Sequence, residues 1–209
     1  MTRVRVGAHA DDVRPGEGWR DAARRLGGPS VVPVDLSGEV KVFAVDPDTR
    51  VAVRPGVPGD LRDLLAWLAE DEVRRWWPVP APESTYAARL AGSEPVRVLV
   101  VGVNGRSVGF VQEHAAGPES VGVDYAIGAP HWRGRGLGAR VLWAWLSQVQ
   151  VAHAHAAPDH RNAASRRVLR KAGFTEGLWY DEPQRDGSTA TVVGHTLDVA
   201  TVLGPPARR

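Results

Sequence analysis

The spacing of apolar positions changes period several times along the chain, and each change marks an element. In "GDLRDLLAWLAEDEVRRWWP" the leucines at 61, 64, 65 and 68 recur at i, i+3, i+4 and i+7, one face of a single helix. Asp60 is its expected N-cap and Pro78 its stop. Upstream, "RVAVRPG" reads as a short strand ended by Pro55, and downstream "STYAARLAG" reads as a short second helix. "VRVLVVGV" and "RSVGFVQEH" are β-rich runs flanking Asn104-Gly105, a dipeptide suited to the positive φ angles of a tight hairpin. "VGVDYAI" supplies a third strand. After a glycine-rich loop, Leu137, Val141, Leu142, Trp145, Leu146 and Val149 share one helical face. "VAHAHAA" is a strand, and "NAASRRVLRKAG" is a helix with Ala164, Val168, Leu169 and Ala172 inward and Gly173 as C-cap. "FTEGLWY" and "TATVVGHTLDV" close the pattern as strands. The order is strand, two helices, three antiparallel strands, helix, strand, helix, two strands: an α/β layout around one mixed sheet.

Residues 1–48 follow a different pattern, with one short helix expected over Trp19–Leu26 and two short apolar runs, "SVVPVDL" and "VKVFAVDPD". They read as an N-terminal extension, 49–200 as the principal domain and 201–209, containing "GPPARR", as a flexible tail. With 26 Lys and Arg against 24 Asp and Glu, the net charge of +2 creates no demand for nucleic acid or an anionic membrane. The absence of Cys excludes disulfides, thiolate metal sites and a cysteine nucleophile. No run approaches the ~20 apolar residues of a membrane span, and "MTRVRVGAHADD" has no apolar signal region. A cytoplasmic monomer or homodimer is expected.

The loop "HWRGRGLGARVL" sets three glycines at alternate positions directly before a helix. Glycines admit close backbone approach, and a helix start offers unpaired N–H donors and partial positive charge. Together these suit a phosphate or pyrophosphate, with Arg133 and Arg135 raising the local potential. The spacing is neither G-x-G-x-x-G nor the Walker pattern, which argues against a dinucleotide or a magnesium nucleotide. Taken alone, the stretch is equally a flexible turn.

"VDYAI" before this loop and "PDHRNAASRRVLRKAGF" after it resemble the GCN5-related N-acetyltransferase (GNAT) superfamily over residues 50–198. The resemblance rests on Arg133, Gly136 and Gly138 in an Arg/Gln-x-x-Gly-x-Gly/Ala loop, and on Asn162 with Lys171-Ala-Gly-Phe174. It implies an acyl-CoA N-acyltransferase fold, a mostly antiparallel sheet flanked by helices, and acetyl-CoA as cofactor. The pyrophosphate would lie on the main chain of Arg133, Gly134, Arg135, Gly136, Leu137, Gly138 and Ala139, and the thioester carbonyl on the N–H of Ile127. Asn162 and Arg166 complete the expected cofactor contacts, with Arg161 and Arg167 near the 3′-phosphate or simply on a solvated helix face.

Amine acetylation requires a neutral amine, a donor for the developing oxyanion and a proton for the leaving thiolate. Without Cys, direct attack in a ternary complex is the natural route. Asp124 is the acid in "VGVDYAIG", and desolvation among its apolar neighbours would suit it to receive the amine's proton. Glu113 is a second candidate. Strand alternation separates it from Gln112 and His114 without saying which face meets the acceptor. Where many family members have a Tyr opening a "YEKxGF"-like segment, as acid for the thiolate, this chain has Leu169, which leaves water or a group such as Tyr180. The pair His153-x-His155 lacks a third ligand in sequence, so no metal is expected.

"WLAEDEVRRWWP" and "GVDYAIGAPHWRGRGLG" resemble the aminoglycoside 6′-N-acetyltransferase branch, although Ala157 stands where that branch has an Asp. The implied acceptor is a small polyamine, with Trp76, Trp77, Gln112 and Asp124 as contacts and Glu70, Asp71 and Glu72 adding negative charge. Hydroxylysine-type siderophore acylation, acetylation of a peptide or protein N-terminus, and a non-catalytic coenzyme A binder are the alternatives.

Overall fold

The structure, a computed structural model, describes residues 49–199 together with the main chain of three short strands before them. These are β1 (Arg3–Val6), β2 (His9–Asp12) and β3 (Glu39–Val42), a small sheet in which β1 is antiparallel to β2 and parallel to β3. The expected helix at Trp19–Leu26, the run "SVVPVDL" and the tail lie outside the described residues.

Seven strands form the main sheet: β4 (Val51–Pro55), β5 (Arg97–Val103), β6 (Arg106–Gly117), β7 (Ser120–Ile127), β8 (His153–Ala156), β9 (Thr175–Pro183) and β10 (Thr189–Asp198), in the order β4-β5-β6-β7-β8-β10-β9. Every neighbouring pair is antiparallel except β7 and β8. The β5–β6 hairpin turns on Asn104 (φ 50°) and Gly105 (φ 77°), the left-handed pair its sequence demands.

Alternation along the strands divides the apolar side chains between two cores. On one face, Leu99, Val101, Val111, Val121 and Val123 pack against α4 (Leu137–Leu146) and α5 (Ala163–Ala172). On the other, Val98, Val100 and Phe110 meet α1 (Leu61–Ala69), α2 (Asp71–Trp76) and α3 (Glu83–Leu90). Among the described residues, no helix is long and apolar enough to cross a membrane.

Two local expectations change. The helix expected across "DLRDLLAWLAEDEVRRWW" breaks at Glu70, which adopts φ −63° and ψ 133°. A continuous helix would carry Val73 off the leucine face. The break turns Val73 inward, where it is buried, and restarts α2 with Asp71 and Glu72 in its first turn, favourable against the helix dipole. Asp60 makes no cap hydrogen bond to α1. Its carboxylate instead accepts from Arg54 at 2.7 and 2.8 Å and from the Val57 amide at 2.9 Å, and the Arg54 contact holds it below the usual carboxylate range. In α5, Leu169 and Ala172 are buried as expected, but Ala164 is exposed.

Candidate active site

The site grows from the place where β7 leaves β8. The two strands pair only at Ser120–His153, Val121–Ala154 and Gly122–His155. Past Gly122 they part, while β7 stays paired to β6 as far as Ile127. The Glu119 carbonyl accepts the His153 amide, so every second residue from there directs its main-chain groups toward β8. Val123, Tyr125 and Ile127 therefore turn their main-chain groups to the opening.

Two cavities meet at this opening, and Asp124 lines both. The first, about 710 Å³, is bounded by His114, Asp124, His155, Leu178, Tyr180 and Glu182. The second, about 580 Å³, has Trp76, Trp77, Asp124, Tyr125, Asn162 and Ser165 among its walls. Asp124 projects to the α1–α3 face of the sheet. Its cross-strand partner there is Gln112, and His114 Nδ1 lies 3.9 Å from its carboxylate. The carboxylate is half-exposed toward the cavities but ringed by protein. Desolvation pushes it above the usual range; His114 and, more weakly, Arg89 oppose the shift, and Glu182 adds to it.

The other sequence candidates separate. Glu113 lies on the opposite face from Asp124, where it accepts from Trp145 Nε1 at 2.9 Å and pairs with Arg97 at 2.7 Å. Gln112 is only 2% exposed and accepts from Arg89 at 2.6 Å, beneath the cavities rather than in their walls. Trp77 packs at a tilt against Phe110, ring centroids 5.3 Å apart and planes at 56°, while Trp76 donates to Glu72 at 3.1 Å and lies under Arg75. Of the acids proposed to enrich the acceptor surface, Glu70 pairs with Arg133 instead and Glu72 with Trp76. His155 lines the first cavity and His153 is exposed; among the described residues no group of three or more His, Cys, Asp or Glu is placed to hold a metal.

At the other end of the opening, the glycine loop turns through Gly134 (φ 71°) and Gly136 (φ 75°) into α4. No side chain caps α4, so its first-turn amides lack an internal partner. A side chain added at Gly134 or Gly136 would meet nothing within 4 Å, so the turn itself is uncrowded and it is the positive φ that calls for glycine.

Residues 50–175 match the acetyltransferase (GNAT) domain family. The chain belongs to that family. It is therefore an acyltransferase of the GNAT type, and acetyl-CoA is its acyl donor. No curated protein sequence matches the chain. Among solved structures, it resembles aminoglycoside acetyltransferase AAC(6')-Ib in complex with coenzyme A and kanamycin, at 22% identity and TM-score 0.58, covering 73% of this chain and 98% of that one. A spermidine N-acetyltransferase SpeG chimera from Vibrio cholerae and hSSAT aligns at 16% identity and TM-score 0.63, over 74% of this chain and 99% of that one. A ribosomal-protein-alanine N-acetyltransferase from Brucella melitensis aligns at 21% identity and TM-score 0.57, over 70% and 98%. All three share the fold of this GNAT domain.

The residues present fit acetyl-CoA. Open first-turn amides at α4 suit a pyrophosphate, and the unpaired side of β7 suits an extended amide-bearing arm. The arginines behave differently from the sequence expectation. Arg133 Nε donates to the Ile127 carbonyl at 2.8 Å, its Nη2 donates to the Gly128 carbonyl, and Glu70 lies 3.5 Å away. It clamps the end of β7 to the α1–α2 junction instead of reaching outward, and its amide donates to the Pro130 carbonyl at 3.1 Å, so the donors free for a phosphate begin at Gly134. Arg166 is held by Glu176 at 2.6 Å and donates to the His160 carbonyl, and Arg161 is held by Asp159 at 2.8 Å. Arg135 sits over Trp132. Asn162 Oδ1 accepts from the Ser165 amide at 2.9 Å, so its side chain caps α5 from the cavity wall. Leu169 is fully buried, and Tyr180 stands on β9, across the first cavity.

Proposed function

We propose that this GNAT enzyme acetylates a primary amine of a small polyamine acceptor by direct transfer in a ternary complex. Asp124 carries the reading: a carboxylate at the junction of two cavities, on the acceptor side of the parted strands, with an indole wall beside it and a second carboxylate, Glu182, close enough to raise its pKa. Two acids around one cleft suit an acceptor with more than one ammonium group. When bound, acetyl-CoA supplies an acetyl group activated as a thioester. The main chain of Gly134 to Ala139 would hold its pyrophosphate, and the Ile127 N–H would face the carbonyl. Asp124 orients the amine and takes up its proton; its raised pKa makes it a stronger base than a solvated carboxylate. Residues 1–48 are proposed to form a separate extension, and the solved structures with aminoglycosides and with a spermidine enzyme's fold make those polyamines the first acceptors to test.

Leu178 and Tyr180, 84% and 47% exposed at the rim of the first cavity, favour a second reading, an amine on an apolar body such as a peptide N-terminus. Thiol release from acetyl-CoA with kanamycin, spermidine and short peptides decides between them. Saturable turnover with a polyamine supports the first reading, and turnover with peptides alone replaces it with the second.

A further inference from the structure

Release of a thioester's sulfur leaves charge on that atom, and position 169 offers only a buried Leu. Asn162, Ser165 and Leu169 sit at i, i+3 and i+7 on α5 and line the second cavity together, so one face of the helix looks into the opening between β7 and β8. Tyr125 reaches that same face from β7. Its hydroxyl lies 3.0 Å from Ser165 Oγ and 3.4 Å from the Ser165 carbonyl, one helical turn before Leu169. We propose that Tyr125, oriented by Ser165, is the hydrogen-bond donor to the departing coenzyme A sulfur, supplied from the strand instead of the helix.

The geometry gives the pair a direction. Either hydroxyl can donate across the 3.0 Å contact; in the arrangement the proposal uses, Ser165 Oγ–H donates to Tyr125 Oη and the phenolic proton is left against a carbonyl 3.4 Å away, a distance where hydrogen bonds are weak. That proton is free to turn to a better acceptor. Burial pushes the phenol well above its ordinary range, so it stays protonated and acts as a donor throughout working pH. Tyr180, across the first cavity beside Glu182, has no such tie to α5. Over the whole transfer one C–S bond breaks and one C–N bond forms. The acceptor nitrogen gives one proton to Asp124, which returns it to water; the sulfur leaves as a thiolate held by the Tyr125 hydrogen bond and then takes one proton from water, so Tyr125 ends with the proton it began with.

The proposal rests on acetyl-CoA lying along the open side of β7, and the test separates the two. Calorimetry with coenzyme A comes first: no binding by the wild-type protein removes the cofactor placement and this proposal with it. With coenzyme A bound, the ultraviolet absorbance of its thiolate is titrated in wild type and in Tyr125→Phe. A donor to sulfur stabilises the thiolate, so the variant's bound thiol should titrate about one pH unit higher, a tenfold change in acidity. The turnover number should fall roughly 10²-fold with coenzyme A affinity unchanged. Equal thiol titration in the two proteins overturns the role, as does wild-type turnover in Tyr125→Phe. If that variant fails to fold, Ser165→Ala serves. A thiol titrating higher, with turnover several-fold lower, supports the proposal, and unchanged values of both refute it.

Discussion

Asp124 couples stability to chemistry in opposite directions. Its pKa is raised by folding, so the folded chain binds that proton more tightly than the unfolded chain does. Its favourable contribution is complete below the unfolded carboxylate value, near 3.9, and is lost as pH rises through the higher folded value. At neutral pH the ionised carboxylate is therefore a net cost. Asp124→Asn should melt at a higher temperature than wild type at pH 7 and gain little at pH 4, by calorimetric melts at both. Activity runs the other way: the same variant should lose roughly 10²–10⁴-fold in kcat while its acetyl-CoA affinity barely moves. Turnover equal to wild type would remove the carboxylate from the reaction. Arg133 differs in kind. Two hydrogen bonds to main-chain carbonyls and an ion pair with Glu70 make it a brace, so Arg133→Ala should cost about 1.5–3 kcal/mol in denaturant unfolding, more than loss of an exposed arginine would.

At the scale of elements, the paired tryptophans divide their work. Both line the second cavity, but Trp77 also packs on Phe110 against the α1–α3 core, whereas Trp76 is held by an exposed Glu72 contact. Trp77→Ala should lower the melting temperature markedly, and Trp76→Ala should chiefly raise the acceptor KM. The turn into α4 has its own requirement. Gly136 sits at φ 75°, so Gly136→Ala should destabilise by about 1–2 kcal/mol and weaken coenzyme A binding measured by calorimetry. The strand order along the chain, the Asn104-Gly105 hairpin and the loop–helix junction were legible because each depends on residues adjacent in sequence. What escaped depends on neighbours distant in sequence. Alternation separated Glu113 from Gln112, but only packing of Trp145 shows which face Glu113 serves. Arg166, an expected cofactor contact, is instead held by Glu176, which β9 brings against it. Glu182 and Tyr125 were missed as site residues because β9 lies at the edge beyond β10 and Tyr125 meets a helix forty residues later.

For the molecule as a whole, the main sheet is two panels, β4 to β7 and β8 with β10 and β9, joined in the sheet by three residue pairs. Such a narrow join places the open strand edge inside the molecule, where another chain cannot add to it, and leaves that edge available to a ligand. A cofactor laid along β7 would occupy the position of a missing strand. Saturation at 100 times its dissociation constant would stabilise the fold by about 2.7 kcal/mol, read as a rise in melting temperature. Amide exchange should slow most along β7 beyond Gly122, with β4 little affected. The gap thus leaves the two panels joined mainly through the helices packed over one face until the donor arrives. Resistance of this fold to heat, proteolysis or pulling along its length would then track the cell's supply of acylated coenzyme, so a starved enzyme would be the first to be cleared.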